Sequence, residues 1–410
     1  MSAGAARLEQ AGARLQDPDA VAIAGIALGV VAFWLVLPPE VVRNVAVPVV
    51  VALAGIGCGA WAIAHGRRRA GWGAVVSGAI GIAGALLVTR ASVPNLQAVI
   101  TWSTIFGATL VFATPLTYAA IGGMFSERSG VVNIGLEGMM LMGAFFGAWG
   151  ADVTGSWPLG ILIGVAAGAA LGLVHAFFAI QLRADQIVGG TAVNFLALGI
   201  TGYLYNDIYG NNGTPDNLPA IPNVHLGFLH SIPPHGLGHF LQDVLGDLNL
   251  MIWLSYVVLV LSYVILFKTA LGLRIRSVGE HPRAADTVVI SVYRVRYVSV
   301  TASGALAALG GVFLSLGFVN SFTENMTAGR GFIALAALIF GKWRPFGAFG
   351  AALLFGFSSA VAPQLQNVPS WQQYGTLFEA LPYVLTLIAV AGVIGRSIPP
   401  AADGKPYTRQ

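Results

Sequence analysis

The sequence predicts an all-α, polytopic integral membrane protein with about 10–12 transmembrane helices and both termini cytoplasmic. Three observations carry that reading. Apolar residues make up 56% of the 410-residue chain and charged residues only 9%, against about 25% charged in an ordinary soluble protein. Apolar runs recur at 21–37, 45–64, 70–88, 97–125, 134–151, 157–181, 187–205, 248–267, 298–319, 331–341, 345–362 and 378–395. Finally, the basic residues fall on one side when those runs are threaded across a bilayer. With the N-terminus inside, eighteen of the twenty-one Lys and Arg lie on the cytoplasmic face, and only Arg43, Arg90 and Arg330 lie outside. Lys and Arg set orientation, so this asymmetry tests the segment count independently of hydropathy.

Most runs approach the roughly 20 residues that cross the hydrocarbon. The run 331–341 is too short and reads as a half-helix or re-entrant segment, while 97–125 is long and interrupted at Pro115. The organisation that follows is a cytoplasmic N-terminal segment (1–20), transmembrane helices at 21–90, a core at 91–396 and a cytoplasmic tail (397–410). Residues 1–20 lack the charged, apolar, small-residue order of a cleaved signal peptide. Within the core an outer loop (206–247) holds four of the seven histidines, and no Lys or Arg occurs between Arg183 and Lys268. A cytoplasmic loop (268–296) carries six Lys or Arg residues. So charged a loop, central and cytoplasmic, presents a surface to a soluble partner.

Composition and motifs exclude several functions. A net charge of +4 with no basic stripe gives no nucleic-acid surface. The lone Cys58 excludes a disulfide framework and a CxxC pair. No GxxxxGK[ST], GxSxG or HExxH occurs, so the chain neither cradles nucleotide phosphates nor carries a recognised hydrolytic centre. The period-four stripe Gly160, Gly164, Gly168, Gly172 and Ala176 is a packing surface, within the subunit or between subunits.

The candidate functional residues are polar groups set among apolar runs. Thr114 and Thr117 flank Pro115, and Ser126–Gly138 (SERSGVVNIGLEG) interrupts two apolar segments. If helical from about 131, this stretch places Asn133 and Glu137 on one face. A carboxylate at membrane depth faces protein or water, so Glu137 either makes a buried interhelical bond or lines a translocation path. Gln186, Thr191 and Asn194 form a second polar face, for which interhelical hydrogen bonding is the competing reading. Asn320 ends the run 298–319 and lines a mouth or is solvated. His175 reads as a satisfied core histidine. The outer-loop histidines His225, His230, His235 and His239 suit a solvated loop better than a metal site. In the cytoplasmic loop, Pro282 starts a short helix with Glu280 or His281 at its head. Ala285, Val288 and Val289 then share its apolar face.

These stretches carry a resemblance. Thr114-Pro115-Leu116 with Ser126–Leu141, Gly279–Ala285 (GEHPRAA), Ser303–Ala307 and Gly329–Ala336 (GRGFIALA) resemble the permease subunits of bacterial ABC importers for nucleosides and simple sugars. That group belongs to the wider ribose and branched-chain amino-acid permease set. The resemblance covers about residues 97–395. It implies two permease subunits, the second often of a non-identical kind, and two ATPase subunits that bind the ATP and magnesium. It also implies an extracytoplasmic substrate-binding lipoprotein. This chain itself then carries no cofactor. Gly279, Glu280, His281, Pro282, Arg283, Ala284 and Ala285 would form the coupling helix seated in the ATPase. Thr114, Thr117, Asn133, Glu137, Gln186, Thr191, Asn194 and Asn320 would flank the pathway. His281 stands where members usually have Asn, and Val289 where they have Gly. The outer loop and the helices at 21–88 also exceed the usual core. An ion-coupled transporter is the main alternative and an integral membrane transferase the lesser one. Neither finds its relay or paired acid and base here.

Overall fold

The computed structural model describes residues 18–35, 46–90, 102–210, 213–215, 217–230, 237–366, 375–380, 383 and 397–408. Residues 1–17 and most of the run 378–395 lie outside the described residues. The chain divides into two units, one of residues 1–105 and 362–395 and the other of 106–361 and 396–410.

The first unit contains α1 (Pro18–Trp34), α2 (Ala46–Ala64) and α3 (Arg68–Arg90). Their approach is set by glycine. A Cβ on Gly25 would lie 2.8 Å from the Gly55 carbonyl, and one on Gly59 would lie 2.7 Å from that of Gly71. Helices in lipid gain little from burying apolar surface, so close backbone packing and bonds such as Ser77 Oγ to Ile26 O (2.9 Å) hold the three together.

The second unit is built around α5 (Leu136–Thr154), which follows α4 (Trp102–Arg128). Then come α6 (Trp157–Ala176, extended by a π turn to Gln181) and α7 (Gln186–Tyr209). The outer loop folds as β1 (Asn223–His225), α8 (Gly227–His230), α9 (Leu237–Leu245) and β2 (Asp247–Asn249), with β1 and β2 antiparallel. After it run α10 (Leu250–Lys268), α11 (Ala270–Glu280), α12 (Pro282–Thr287) and α13 (Val292–Val312, with a π turn to Val319). Among the described residues the last long elements are α14 (Arg330–Phe340) and α15 (Pro345–Gln366).

Among the described residues, seven helices are long and apolar enough to cross a membrane: α2, α4, α6 with its extension, α7, α10, α13 with its extension, and α15. Segments in α1, α3 and α14 are apolar but shorter. At eleven residues, about 16 Å at 1.5 Å per residue, α14 is too short to span alone. Helix α5 is buried along almost its whole length, between α6, α7 and α13. Its acidic residues are bonded within the protein: Asp152 accepts the Tyr209 hydroxyl at 3.0 Å, and Glu137 is described below.

The glycine stripe of α6 packs inside the subunit. A Cβ on Gly160 would meet the Gly147 carbonyl of α5 at 2.7 Å, and one on Gly168 would collide with Ala308 Cβ of α13. Two sequence expectations need correction. Pro115 does not interrupt its segment, since α4 runs unbroken through it. Proline withdraws one backbone donor, a single ladder bond, and α4 is held by its packing, with Gly310 close against the Pro115 carbonyl; the hydroxyls of Thr114 and Thr117 bond the carbonyls of Leu110 and Ala113 on their own helix (2.7 and 2.8 Å). Nor does helix begin at 131; residues 131–133 have no regular structure, and α5 starts only at Leu136. Asn133 and Glu137 therefore do not share a helical face.

Gly168→Ala should cost about 1–3 kcal/mol, because the added methyl meets Ala308 and the Gly304 carbonyl with no room to relax. Gly199→Ala, whose Cβ would have nothing within 4 Å, should leave stability unchanged or slightly raised. Thermal unfolding of the two variants in the same detergent checks the contrast.

Candidate translocation and coupling site

The segment 129–135, between α4 and α5, is irregular backbone inside the protein, and every polar group it exposes must find a partner there. Gly130 turns it at φ +88°, and Ser126 Oγ closes the turn on the Val131 carbonyl at 2.7 Å. Beyond the turn, side chains of three other helices replace the missing ladder. Gln186 Oε1 accepts the Val132 amide (2.7 Å), and His175 Nε2 donates to the Val132 carbonyl (3.0 Å). Asn194 grips the entry to α5 from both sides, donating to the Ile134 carbonyl (3.0 Å) and accepting the Gly138 amide (2.8 Å). Asn133, fully buried, donates to Ser303 Oγ on α13 at 2.8 Å.

Glu137 sits in the first turn of α5, yet its carboxylate serves another helix. Oε1 accepts the Gly329 amide at 2.8 Å and Oε2 the Gly331 amide at 2.6 Å. These are orphan donors at the start of α14, so one carboxylate caps the half-helix and meets the positive ends of two helix dipoles. The approach depends on Gly331, whose Cβ would lie 2.5 Å from the Glu137 Cα.

The other end of α14 is held by the same stretch of chain. After Phe340 the backbone reverses through Lys342 and Trp343, both at positive φ. Glu127 accepts the Trp343 indole N–H at 2.6 Å, and Arg128 donates to the Trp343 carbonyl through Nε (3.1 Å) and Nη2 (2.8 Å). Residues 127–137 thus clip both ends of α14.

The cytoplasmic loop touches this clip at Gly279 and again through Arg296. A Cβ on Gly279, near the end of α11, would collide with the Arg128 carbonyl and lie 3.3 Å from the Gly130 amide. The guanidiniums of Arg128 and Arg276 lie over the Phe267 ring, at 5.7 and 5.0 Å. Residues 397–408 fold onto the same place. The Ala402 amide donates to the Gly279 carbonyl (2.9 Å), and Glu280 accepts the Ala401 amide (3.1 Å). Arg296, 1% exposed, donates to the Ser129 and Lys405 carbonyls at 3.2 and 3.1 Å. Burial pushes the Asp403 carboxyl up to about 7, against the opposing pull of the Gly404 amide and Arg296.

Of the residues singled out from sequence, Asn133, Glu137, Gln186 and Asn194 converge on the entry to α5. Thr114 and Thr117 are buried on α4 and bonded to their own helix. Thr191 is exposed on α7 and bonded to the Ile187 carbonyl. Asn320, at φ +55°, donates to the Leu218 carbonyl and so ties the outer loop down. Pro282 does start α12, with His281 at the N-cap but making no side-chain cap bond. The apolar face read at Ala285, Val288 and Val289 is not formed: α12 ends at Thr287, Ala285 is buried, and Val288 and Val289 are exposed. Among the described residues no cluster of three metal-ligating side chains occurs, and His225 pairs with Asp247 at 3.3 Å. His235 lies outside the described residues. Sequence reasoning left Glu127, Arg128, Trp343 and Arg296 without roles. Charges at the ends of apolar runs were the available signal for three of them.

The profile of the family described as the permease component of branched-chain amino acid transport systems matches residues 105–390. The chain belongs to that family. It is 46% identical over 315 residues to the guanosine ABC transporter permease protein NupQ of Bacillus subtilis, covering 75% of this chain and 97% of that protein. It is 40% identical to the nucleoside ABC transporter permease protein NupC of Lactococcus lactis, over 73% and 95% of the two chains. It is 34% identical to the putative glucose ABC transporter permease protein TsgC13 of Haloferax volcanii, over 64% and 78%. No solved structure matches significantly. The chain is thus a multi-pass permease subunit of an ABC importer in the bacterial cytoplasmic membrane, and ATP hydrolysis lies on a separate subunit. Helices α1–α3 precede the matched region.

Glu137→Gln should destabilise the permease by about 1–3 kcal/mol, because one amide of Gly329 or Gly331 then faces an NH2 group instead of a carboxylate oxygen. A fall in midpoint temperature on thermal unfolding checks it; an unchanged midpoint would remove the capping role.

Proposed function

We propose that this permease carries nucleosides inward, and that Gly279–Ala285 is the segment through which a partner ATPase drives it. The cargo reading rests on NupQ and NupC, whose names specify guanosine and nucleosides. Asn133, Gln186 and Asn194 are bonded within the protein at the entry to α5, so they shape the pathway wall, and the names of the relatives carry the choice of cargo. The observation that carries the coupling role is the seating of Gly279 against Arg128 and Gly130, which joins the cytoplasmic loop to the clip around α14.

In this reading ATP binding closes a pair of ATPase subunits and displaces α11 and α12. Gly279 passes the displacement to residues 127–130, since neither backbone has space to yield. The clip carries α14 with it, and α14 moves relative to the rest of the bundle in the manner of alternating access. Thr114, Thr117, Thr191 and Asn320 belong to the flanking walls. A second permease, non-identical to this one, completes the pathway, and a substrate-binding lipoprotein delivers cargo from outside. Glu137 is committed to two amides, which leaves an ion-coupled mechanism without its carboxylate.

The test is uptake of labelled guanosine into cells that express the full importer and lack others, with competition by adenosine, ribose and glucose. Competition by nucleosides alone is expected; competition by glucose alone would overturn the cargo. Gly279→Ala should lower uptake at least tenfold while the ATPase still co-purifies, because the methyl disturbs transmission and leaves the exposed face of α12 intact. Unchanged uptake would remove Gly279 from the coupling path.

A further inference from the structure

If Gly279–Ala285 is the segment that enters the ATPase, α12 does not stand alone there. Together with the chain's last described residues it encloses an open groove of about 540 Å³. One wall is Glu280, His281, Pro282, Arg283 and Ala284; the other is Ala401, Ala402 and Lys405–Thr408.

The second wall is a built feature. Its inner side is anchored by Ala402 on Gly279, by Arg296 on the Lys405 carbonyl, and by Tyr407, which is buried with its ring 5.7 Å from that of Tyr293. Its outer side turns Lys405 and Thr408 to solvent beside the exposed Arg283. The groove lining carries two fixed cations, Arg283 and Lys405, and one carboxylate, Glu280, which already accepts the Ala401 amide. Beyond the groove lie Val288 and Val289, 66% and 94% exposed. Val289 is held at φ +65°, a conformation that a β-branched residue adopts only at a cost. An exposed, strained apolar tip beside a basic groove is the composition of a contact surface, not of a solvated turn.

The geometry points to residues 401–408 as the second wall of the ATPase seat, so that the ATPase grips α12 and the C-terminal segment together. The occupant is an ATPase subunit that presents carboxylates opposite Arg283 and Lys405 and an apolar pocket to Val288 and Val289. This rests on the coupling role proposed for Gly279–Ala285 and extends it, because the seat would be continuous with that segment. The buried Arg296 then acts as a tie: through Ser129 and Lys405 it joins the far wall of the seat to the clip around α14.

The experiment is site-specific photo-crosslinking in the assembled importer. Benzoylphenylalanine replaces Arg283, Lys405 or Thr408 in turn, and Phe228 in the outer loop serves as the control, with the ATPase detected by an epitope tag. Expected are crosslinks to the ATPase from 283, 405 and 408 in comparable yield, and none from 228. Crosslinking from 283 with yields at 405 and 408 at least tenfold lower would overturn the second wall while leaving the coupling helix in place. No crosslink from any of the three would overturn both. As a check independent of the probe, Lys405→Glu should lower the co-purifying ATPase at least threefold and Lys405→Arg should not. Equal recovery with both variants would count against the basic groove.

Discussion

A half-helix in a membrane protein has to end somewhere, and in lipid its free amides have no water to turn to. The bond pair from Glu137 to Gly329 and Gly331 answers that constraint, and the rest of the second unit is arranged around it. Glu137 stands in the first turn of α5, and the stretch just before it is not helical. It leaves α4 as irregular chain, and its own unpaired groups are then met by Gln186, Asn194, His175 and Ser303 from neighbouring helices. The polar residues scattered along apolar segments thereby acquire a common physical cause.

The same stretch gives the motif at 126–138 its logic. Its two carboxylates, Glu127 and Glu137, hold opposite ends of one eleven-residue helix, and its glycines supply the turn and the close approaches. A helix clipped at both ends by a single segment moves with that segment. Since Gly279 abuts the cytoplasmic end of the clip, force applied at the cytoplasmic surface reaches the clip through backbone contact and passes on to α14 through the bonded side chains of Glu127, Arg128 and Glu137. That is a mechanical reason for glycine at 279, where any larger residue collides with a carbonyl.

Much of this was legible in the sequence, and what was not has identifiable reasons. Hydropathy located all seven long spans found among the described residues, and the length of 331–341 marked it as a half-helix or re-entrant segment. The motif was conspicuous because polar side chains and several glycines sit between apolar runs. Its conformation was misjudged at 131–135: Val131 and Val132 suit a helix in lipid well enough, and the bonds that replace the helical ladder come from Gln186, His175 and Asn194, more than forty residues away. Pro115 was misjudged in the opposite direction, since a proline removes a single ladder bond and a closely packed helix, here with Gly310 against the Pro115 carbonyl, keeps its course. The binding of residues 397–408 left no trace in composition; their contacts run mostly through backbone amides and carbonyls, which every sequence has. Pathway and structural roles were also inseparable from sequence, because the amide that satisfies a backbone carbonyl has the same chemistry as one that meets a sugar hydroxyl.

If the cytoplasmic loop, the clip and α14 move as one body, two points on that body keep their separation through the transport cycle. Spin labels at Leu273 on α11 and Phe332 on α14, both exposed, read that separation directly by pulsed dipolar spectroscopy in the reconstituted importer, with Cys58 replaced. The same distance is expected in the nucleotide-free and ATP-trapped states of a complex whose ATPase pair is seen to close. A change of about 5 Å, the size of a one-turn slip between packed elements, would contradict the single moving body.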